Sequence, residues 1–347
     1  MKLLFITHKF YPDIGGIEVN SEVLASHFHN AGVEIQLVTW TQDTGTKTFS
    51  FPVVRHPNVS LLLKLHRWAD VVYENNPCLR LAWPNILFKK PDVVALRTWI
   101  NRMDGKRGWQ DKLKVLWLNH AAGVIAISEA VRKRSWEQAI VIGNPYRAEL
   151  FKTLAYSSRD TDFVFLGRLV SDKGADLAIR AFSLFLEPYK EKGQMPSSCK
   201  LTIIGDGPER QNLEELAFSL SLTDRVQFTG VLRGEELVKA LNRHRYLLVP
   251  SLWDEPFGNV ALEGMACGCI PIVSDGGGLS DAVGGAGIVF KKGSVTALVA
   301  AINDIYPDEA IQYSLLSQAK KHLATHHPSA VSAAYLQVIR NAFKING

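Results

Sequence analysis

Pro250-Ser-Leu-Trp-Asp-Glu255-Pro-Phe-Gly258-Asn-Val-Ala-Leu-Glu263-Gly-Met-Ala-Cys-Gly-Cys-Ile-Pro-Ile-Val-Ser-Asp275 reads as strand edge, loop, helix and strand. Tyr246-Leu-Leu-Val249 before the loop and Ile270-Pro-Ile-Val273 after the helix are short apolar runs that suit buried strands. Val260, Glu263, Gly264 and Cys267 recur at spacings of three and four, which is helical. Gly258 and Asn259 stand where that helix begins, so its first amides, those of Asn259 and Val260 among them, are free to hold an anion. Glu255 lies in the loop. Glu263, eight positions on, lies on the helix, where its carboxylate can accept from hydroxyls.

The same alternation runs through the rest of the chain. Lys2–Thr7, Val33–Thr39, Asp70–Tyr73, Asp92–Leu96 and Val124–Ile127 are strand-like, with helical stretches between them. A helix after Gly15-Gly16 carries Ile17, Val23, Leu24, Phe28 and Ala31 at apolar spacing and stops at Gly32. A second series starts at Phe163-Val-Phe-Leu-Gly167 and continues through Leu201–Gly205, Val226–Thr229, Tyr246–Val249, Ile270–Val273 and Gly287–Phe290. Its first helix is expected from about Ala175 to Leu186, followed by a polar loop over Glu187–Ser198. Alternating strands and helices predict parallel sheets covered on both faces. A length of 347 residues fits two such domains. The polar stretch Thr153–Asp162 is the expected linker, giving domains of residues 1–155 and 156–327.

Composition excludes several classes. Hydrophobic residues make up 47% and charged residues 21%, ordinary for a globular protein with a sizeable core. No run is long enough to span a membrane. Met1–Thr7 has too short an apolar core for a signal peptide and is read as the first strand. Cys78, Cys199, Cys267 and Cys269 lack zinc spacing; Cys267-Gly-Cys269 is expected to be two small buried residues, which suits a reducing cytoplasm. Asp160-Thr-Asp162 looks like a metal-binding pair but lacks matching surroundings, and no catalytic metal is expected. The net charge is +5, and the excess of Lys and Arg falls in the first 155 residues.

Glu255-Pro-Phe257-Gly258, the Glu-x7-Glu spacing and the Gly276-Gly-Gly278 turn after the next strand together resemble the retaining glycosyltransferases of family four. The resemblance spans the chain, densely from Phe163 to Phe290. It implies the GT-B architecture, two Rossmann-like doubly wound domains facing across a cleft, with the last helix, 328–347, returning to the N-terminal domain. It also implies a nucleotide-diphosphate sugar as donor, with no cofactor. Arg168 and Lys173, in Gly167-Arg168-Leu-Val-Ser-Asp-Lys173-Gly174, match the family's diphosphate-binding pair; a departing diphosphate needs positive charge that strengthens as the sugar leaves. Glu255 is expected on the sugar hydroxyls, Glu263 on the ribose, and the backbone around Val231 at the base. Gly205-Asp-Gly-Pro208 either shapes the donor cleft or is only a turn. Asp281, after the glycines, is either a ligand-facing acid or a helix N-terminal one.

In the N-terminal half, Gly15 and Gly16 match a loop that approaches the donor phosphate and acceptor through backbone amides, with Asp13 beside it. The departure from the family pattern is Arg97, at or next to the end of a strand where relatives carry a His. Arginine stays protonated and cannot act as a base, but it can stabilise charge. Following an apolar strand, its guanidinium is expected to point into the cleft, with little influence on stability. Trp83, Trp99, Trp109 and Trp117 are interleaved with Lys89, Lys90, Arg97, Arg102, Lys106, Arg107, Lys112 and Lys114. That pattern suits an anionic membrane surface or a lipid-linked acceptor, or else core tryptophans beside a solvated basic face. Single-stranded nucleic acid, which it also suits, is disfavoured by the donor motifs.

These residues point to an enzyme that moves a sugar onto a glycan or lipid-linked acceptor hydroxyl in cell-surface polysaccharide or glycolipid assembly. It would be cytoplasmic and peripheral on the inner face of the plasma membrane. Two rivals remain: a nucleotide-sugar epimerase, which would need an acid/base set around the sugar, and a non-catalytic nucleotide-sugar-binding or scaffold protein.

Overall fold

The computed structural model describes residues 1–13, 15–43, 45–100, 108–155, 158–194 and 196–346. The chain divides into two compact units, one of residues 1–145 with 326–347 and the other of residues 146–325. The division falls before the polar Thr153–Asp162 stretch, because Leu154 N donates to Asn242 Oδ1 and Asn242 Nδ2 donates to the Lys152 carbonyl, tying that stretch into the second unit.

The first unit carries a parallel seven-stranded sheet: β1 (Lys2–Thr7), β2 (Glu34–Thr39), β3 (Val53–Arg55), β4 (Val71–Asn75), β5 (Asp92–Leu96), β6 (Gly123–Ala126) and β7 (Ile140–Val141). Their order in the sheet is β3-β2-β1-β4-β5-β6-β7. Side chains alternate across it. Leu3 and Phe5 face a core closed by the Gly16–Asn30 and Pro328–Asn346 helices, through Leu24, Phe28, Tyr335 and Ile339. Leu4 and Ile6 face the other core, with Leu62 and Leu65. The Gly16–Asn30 helix departs from the pattern read in its sequence. Ile17 and Val23 are only half-buried and Ala31 is exposed, while Glu18, Asn20 and Ser21 are buried beside Leu24, Ala25 and Phe28.

The second unit has a parallel six-stranded sheet: β8 (Thr161–Leu166), β9 (Leu201–Ile204), β10 (Val226–Gly230), β11 (His244–Val249), β12 (Ile270–Ser274) and β13 (Ile288–Phe290), in the order β10-β9-β8-β11-β12-β13. The Ala175–Glu191 helix runs through Pro188 instead of stopping at Leu186, so the expected loop begins later. Its apolar face, with Leu177, Phe182 and Phe185, holds the helix against Phe163 and Tyr246. In each sheet the chain steps outward from the first strand, then returns to lay the fourth strand of its series on that strand's other side. Between β1 and β4, and between β8 and β11, the connections diverge and leave a crevice at the carboxyl edge. Both edges are built from loops carrying the residues picked out by sequence.

Candidate active site

In the second unit the loop after β8 and the loop after β11 are stitched together. The Asp172 carbonyl accepts from Leu252 N (2.8 Å), Trp253 N (3.2 Å) and Ser251 Oγ (3.2 Å). Gly174, at φ +71°, turns the first loop into its helix, and a methyl group there would overlap the Pro250 carbonyl. This brings Lys173 and Glu255 into an ion pair of half-buried side chains. Ser251 Oγ donates to the same carboxylate oxygen at 3.2 Å, and Lys173 Nζ lies 5.3 Å from the centroid of the Trp253 ring. Arg168, on the same loop, is exposed and forms no ion pair among the described residues. A paired lysine and an unpaired arginine therefore stand at the switch-point edge, where an anion finds both a point charge and a planar fork.

The Gly276–Gly278 turn packs against the backbone of Glu255. Gly277, at φ +64°, bridges in parallel with Glu255, and Gly278 N donates to the Glu255 carbonyl at 2.7 Å. A methyl group on Gly277 would overlap that carbonyl. The glycine admits the chain's own backbone, which fixes where Glu255 stands.

Gly258, at φ +111°, precedes the Asn259–Ala266 helix, and Leu279 occupies the space a side chain would need there. Asn259 and Val260 are half-buried in the first turn. Phe257 is 2% exposed, packed inside the unit. Glu263 meets Arg147, whose Nη2 lies 3.6 Å from Glu263 Oε1. Burial pushes the Glu263 carboxyl up to about 7, against the opposing pull of Arg147. Arg147 had no signal in the sequence; it follows Pro145 in a segment without a motif.

Around this centre, the turn at Asp206–Glu209 binds the loop after β8: Leu169 N donates to the Asp206 carbonyl and Glu209 N to the Leu169 carbonyl, at 2.9 and 3.0 Å. Val231, just past β10, is 56% exposed. Asp281 sits in the first turn of the Leu279–Val283 helix. Asp160 and Asp162 are spent elsewhere, Asp160 on Arg243 and Asp162 on Ser198 and Tyr306. Cys267 and Cys269 are fully buried and burial pushes both thiols up to about 12, so neither is a nucleophile near neutral pH.

The first unit has its own edge site. Gly15 caps the Gly16–Asn30 helix in extended backbone, and the Glu18 carboxylate occupies the space over its Cα. Beside it, a cavity of about 450 Å³ opens at the ends of β1, β2 and β3, lined by His8, Lys9, Asp13, Trp40, Thr41 and His56. Asp13 accepts from Thr41 Oγ1 at 3.3 Å, and the Arg80 guanidinium lies 3.8 Å from the Trp40 ring centroid. Of these, sequence reading singled out only Asp13.

Arg97 overturns its expected orientation. It is 4% exposed, with the guanidinium turned into the unit. Nε donates to Asn75 Oδ1 (2.6 Å), Nη1 to Asn144 Oδ1 (2.9 Å) and Nη2 to the Tyr73 hydroxyl (3.2 Å), with the Tyr335 ring 5.0 Å away. Asn75 continues the chain of bonds to Ser21 Oγ (2.6 Å), and Ser21 Oγ to Thr7 Oγ1 (3.1 Å). Burying a guanidinium is tolerable only when its donors are matched, and the two asparagines and Tyr73 supply the acceptors. An arginine at the end of an apolar strand thus belongs to a polar network under the edge.

The chain thus has two doubly wound α/β units, one presenting a lysine–carboxylate pair and an exposed arginine at its switch point. The model for glycosyl transferases group 1 matches residues 147–322, just over half of the chain, and the chain belongs to that family. An uncharacterised glycosyltransferase of Methanocaldococcus jannaschii is 24% identical over 332 residues, covering 82% of this chain and 83% of that one. A lipopolysaccharide core biosynthesis glycosyltransferase of Rhizobium meliloti is 27% identical over 361 residues, covering 96% and 97%. Among solved structures, the HepE protein of Anabaena in complex with UDP superposes with a TM-score of 0.79 at 20% identity, covering 98% of this chain and all of that one. This neighbour and a lipopolysaccharide outer core galactosyltransferase, WaaB, at a TM-score of 0.73 and 17% identity, share the GT-B fold.

Proposed function

We propose that this protein is a retaining, metal-independent glycosyltransferase that moves a hexosyl or related sugar from a nucleotide-diphosphate donor to an acceptor hydroxyl. The observation that carries the reading is the Lys173–Glu255 pair, with exposed Arg168, at the β8/β11 switch point. Arg168 and Lys173 hold the diphosphate. Glu255 accepts from the sugar's hydroxyls, Glu263 from the ribose, and the backbone near Val231 meets the base. The amides at Gly258–Val260 and those of Gly15 and Gly16 add neutral donors. The bond from the anomeric carbon to phosphate breaks as the acceptor oxygen bonds on the same face. The acceptor's proton passes to the leaving phosphate, whose growing charge Arg168 and Lys173 stabilise. UDP bound to the Anabaena neighbour supports the nucleotide part of this reading. Arg97 is a positioning residue: its network fixes Asn75 and the loop after β4, where its backbone amide donates to Asn76 Oδ1 at 3.1 Å.

The cavity by His8, Lys9, Trp40 and His56 is the acceptor's place, where cationic and aromatic side chains suit a glycan bearing acidic groups. The Rhizobium relative's role in lipopolysaccharide core assembly supports a glycolipid or polysaccharide acceptor at the cytoplasmic face of a membrane. Among the described residues no helix is long and apolar enough to cross a membrane. Attachment would come from the basic, aromatic surface of the first unit, of which Arg102, Lys106 and Arg107 lie outside the described residues. Incubating the protein with a panel of nucleotide sugars and acceptor glycolipids tests the proposal. Product with the donor's anomeric configuration, formed equally well with a chelator present, is expected. Sugar interconversion would establish an epimerase, and tight donor binding without turnover a scaffold.

A further inference from the structure

A second cavity lies in the first unit, away from the carboxyl-edge loops. It opens between the paired turns Leu79–Ala82 and Asn85–Phe88 and the Trp109–Leu118 helix, and its volume is about 730 Å³. That is the size of a pocket for a substantial small molecule. Leu79, Trp83, Ile86, Leu113, Leu116 and Trp117 form its walls. Its mouth is apolar and open to solvent: Ile86 is 66% exposed, Leu113 44% and Leu116 56%. Exposed apolar side chains gathered around one opening mark a binding surface and not a core.

The polar members of the lining are close in sequence. Lys89, Lys90 and Asp92 follow one another across Pro91, and His120 joins them from the end of the Trp109–Leu118 helix. The Lys89–Lys90 turn is fixed by Asn85, whose Oδ1 accepts from Lys90 N at 3.0 Å and whose Nδ2 donates to the Lys90 carbonyl at 2.9 Å. Neither lysine forms an ion pair among the described residues. Beneath them Asp92 is buried, and its Oδ1 has no hydrogen-bond partner. Glu74 lies beside it, accepting from Trp117 Nε1 and from Cys78 N, both at 2.6 Å. Burial, joined for Asp92 by the neighbouring Glu74, raises both carboxyls. The two lysines leave positive charge at the rim. None of these groups serves the donor site.

We propose that this groove seats one hydrocarbon chain of an anionic lipid, with the lipid's phosphate on Lys89 and Lys90 and the chain among Ile86, Leu113, Leu116 and Trp117. The inference rests on the membrane part of the function proposed above and deepens it, from attraction to a charged surface to a site for a single chain. A partner helix would cover the apolar mouth but would leave two unpaired lysines without a matching charge. An anionic amphiphile satisfies both ends.

The test titrates the full chain with lysophosphatidylglycerol below its micelle concentration, following tryptophan fluorescence, with UDP binding measured in parallel on the same samples. Saturable one-to-one binding is expected, tightening roughly fourfold for each added methylene of the acyl chain. Glycerol phosphate alone should not bind, and lysophosphatidylcholine should bind at least tenfold more weakly. L116E should weaken lipid binding at least tenfold, and so should a K89E/K90E double variant; these side chains lie at the surface, so the fold persists. UDP affinity should be unchanged in both. Absence of saturable lipid binding overturns the proposal, as does indifference to L116E. A concentration-dependent dimer abolished by L116E also overturns it, giving the face to a second copy. Lipid binding without UDP binding would instead sink the uridine-nucleotide form of the donor reading and leave the groove standing.

Discussion

The two carboxyl edges have the same topology and opposite chemistry. At the β8/β11 edge the charged groups stand in loops, half-buried or exposed, and face outward. At the β1/β4 edge and its neighbour β5, the strand-end arginine is drawn inward and spent on Asn75, Asn144 and Tyr73. The difference teaches that topology places a residue at an edge, while the local supply of acceptors decides which way its charge turns. Beside Arg168 the described residues offer no carboxylate partner, so it stays outside, available to a ligand. Arg97 meets two asparagine oxygens and a phenol, and stays in.

The largest expected effect breaks the inward side of this comparison. Arg97→Ala removes the hydrogen bonds to Asn75 Oδ1, Asn144 Oδ1 and the Tyr73 hydroxyl and opens a cavity under the edge. Hydrogen bonds to a charged group are worth about 1.5–3 kcal/mol each, so a loss of at least about 3 kcal/mol is expected. A thermal melt should show a fall of several degrees, and Arg97→His should recover little of it. A melt unchanged in the Ala variant would return Arg97 to the surface.

Gly277→Ala comes next. It places a side chain at φ +64° and against the Glu255 carbonyl, costing about 1–3 kcal/mol. Because the strain falls on Glu255, turnover should drop at least tenfold while affinity for a nucleoside diphosphate, measured by calorimetry, stays within about threefold. Equal losses in both would mean that the turn positions the diphosphate and not the sugar.

Glu263 gives the smallest and most specific effect. Its carboxyl, raised to about 7 in the folded chain, lies above its ordinary value. Its contribution to stability is therefore full below the usual glutamate range and is lost as pH rises through about 7. Donor binding should run the other way, because the ionised carboxylate is the better acceptor for ribose hydroxyls. Affinity should rise across pH 6–8 in the wild type, and Glu263→Gln should flatten both profiles. A donor-affinity profile with the same slope in the Gln variant would remove Glu263 from the ribose.

These contrasts also mark how much was legible beforehand. Strand and helix periodicity carried the fold, since parallel strands covered on both faces are apolar runs and the helices between them keep their spacing. The second unit's loops were legible because glycines, charges and turns stand next to one another in the chain. Lys173 and Glu255 needed only the pairing of β8 with β11 to meet, with Arg168 on the same loop as Lys173. What stayed hidden depends on residues far apart in sequence. The network around Arg97 draws on Thr7, Ser21, Tyr73, Asn75 and Asn144, and the cavity by Trp40 on three separate loops. Arg147 is found only once the fold lays it beside Glu263. A motif does not say which of its residues turn inward, as Phe257 does.

The central claim is that the β8/β11 edge is built to hold a diphosphate. Calorimetric titration of a Arg168→Ala/Lys173→Ala double variant with UDP and other nucleoside diphosphates tests it most directly. Both residues are off the core and the fold should persist by melting. If the account holds, the wild type binds at least one of these nucleotides, and the double variant binds it about a hundredfold more weakly, the loss of roughly 3 kcal/mol from two charged contacts. Undiminished affinity in the double variant would contradict it.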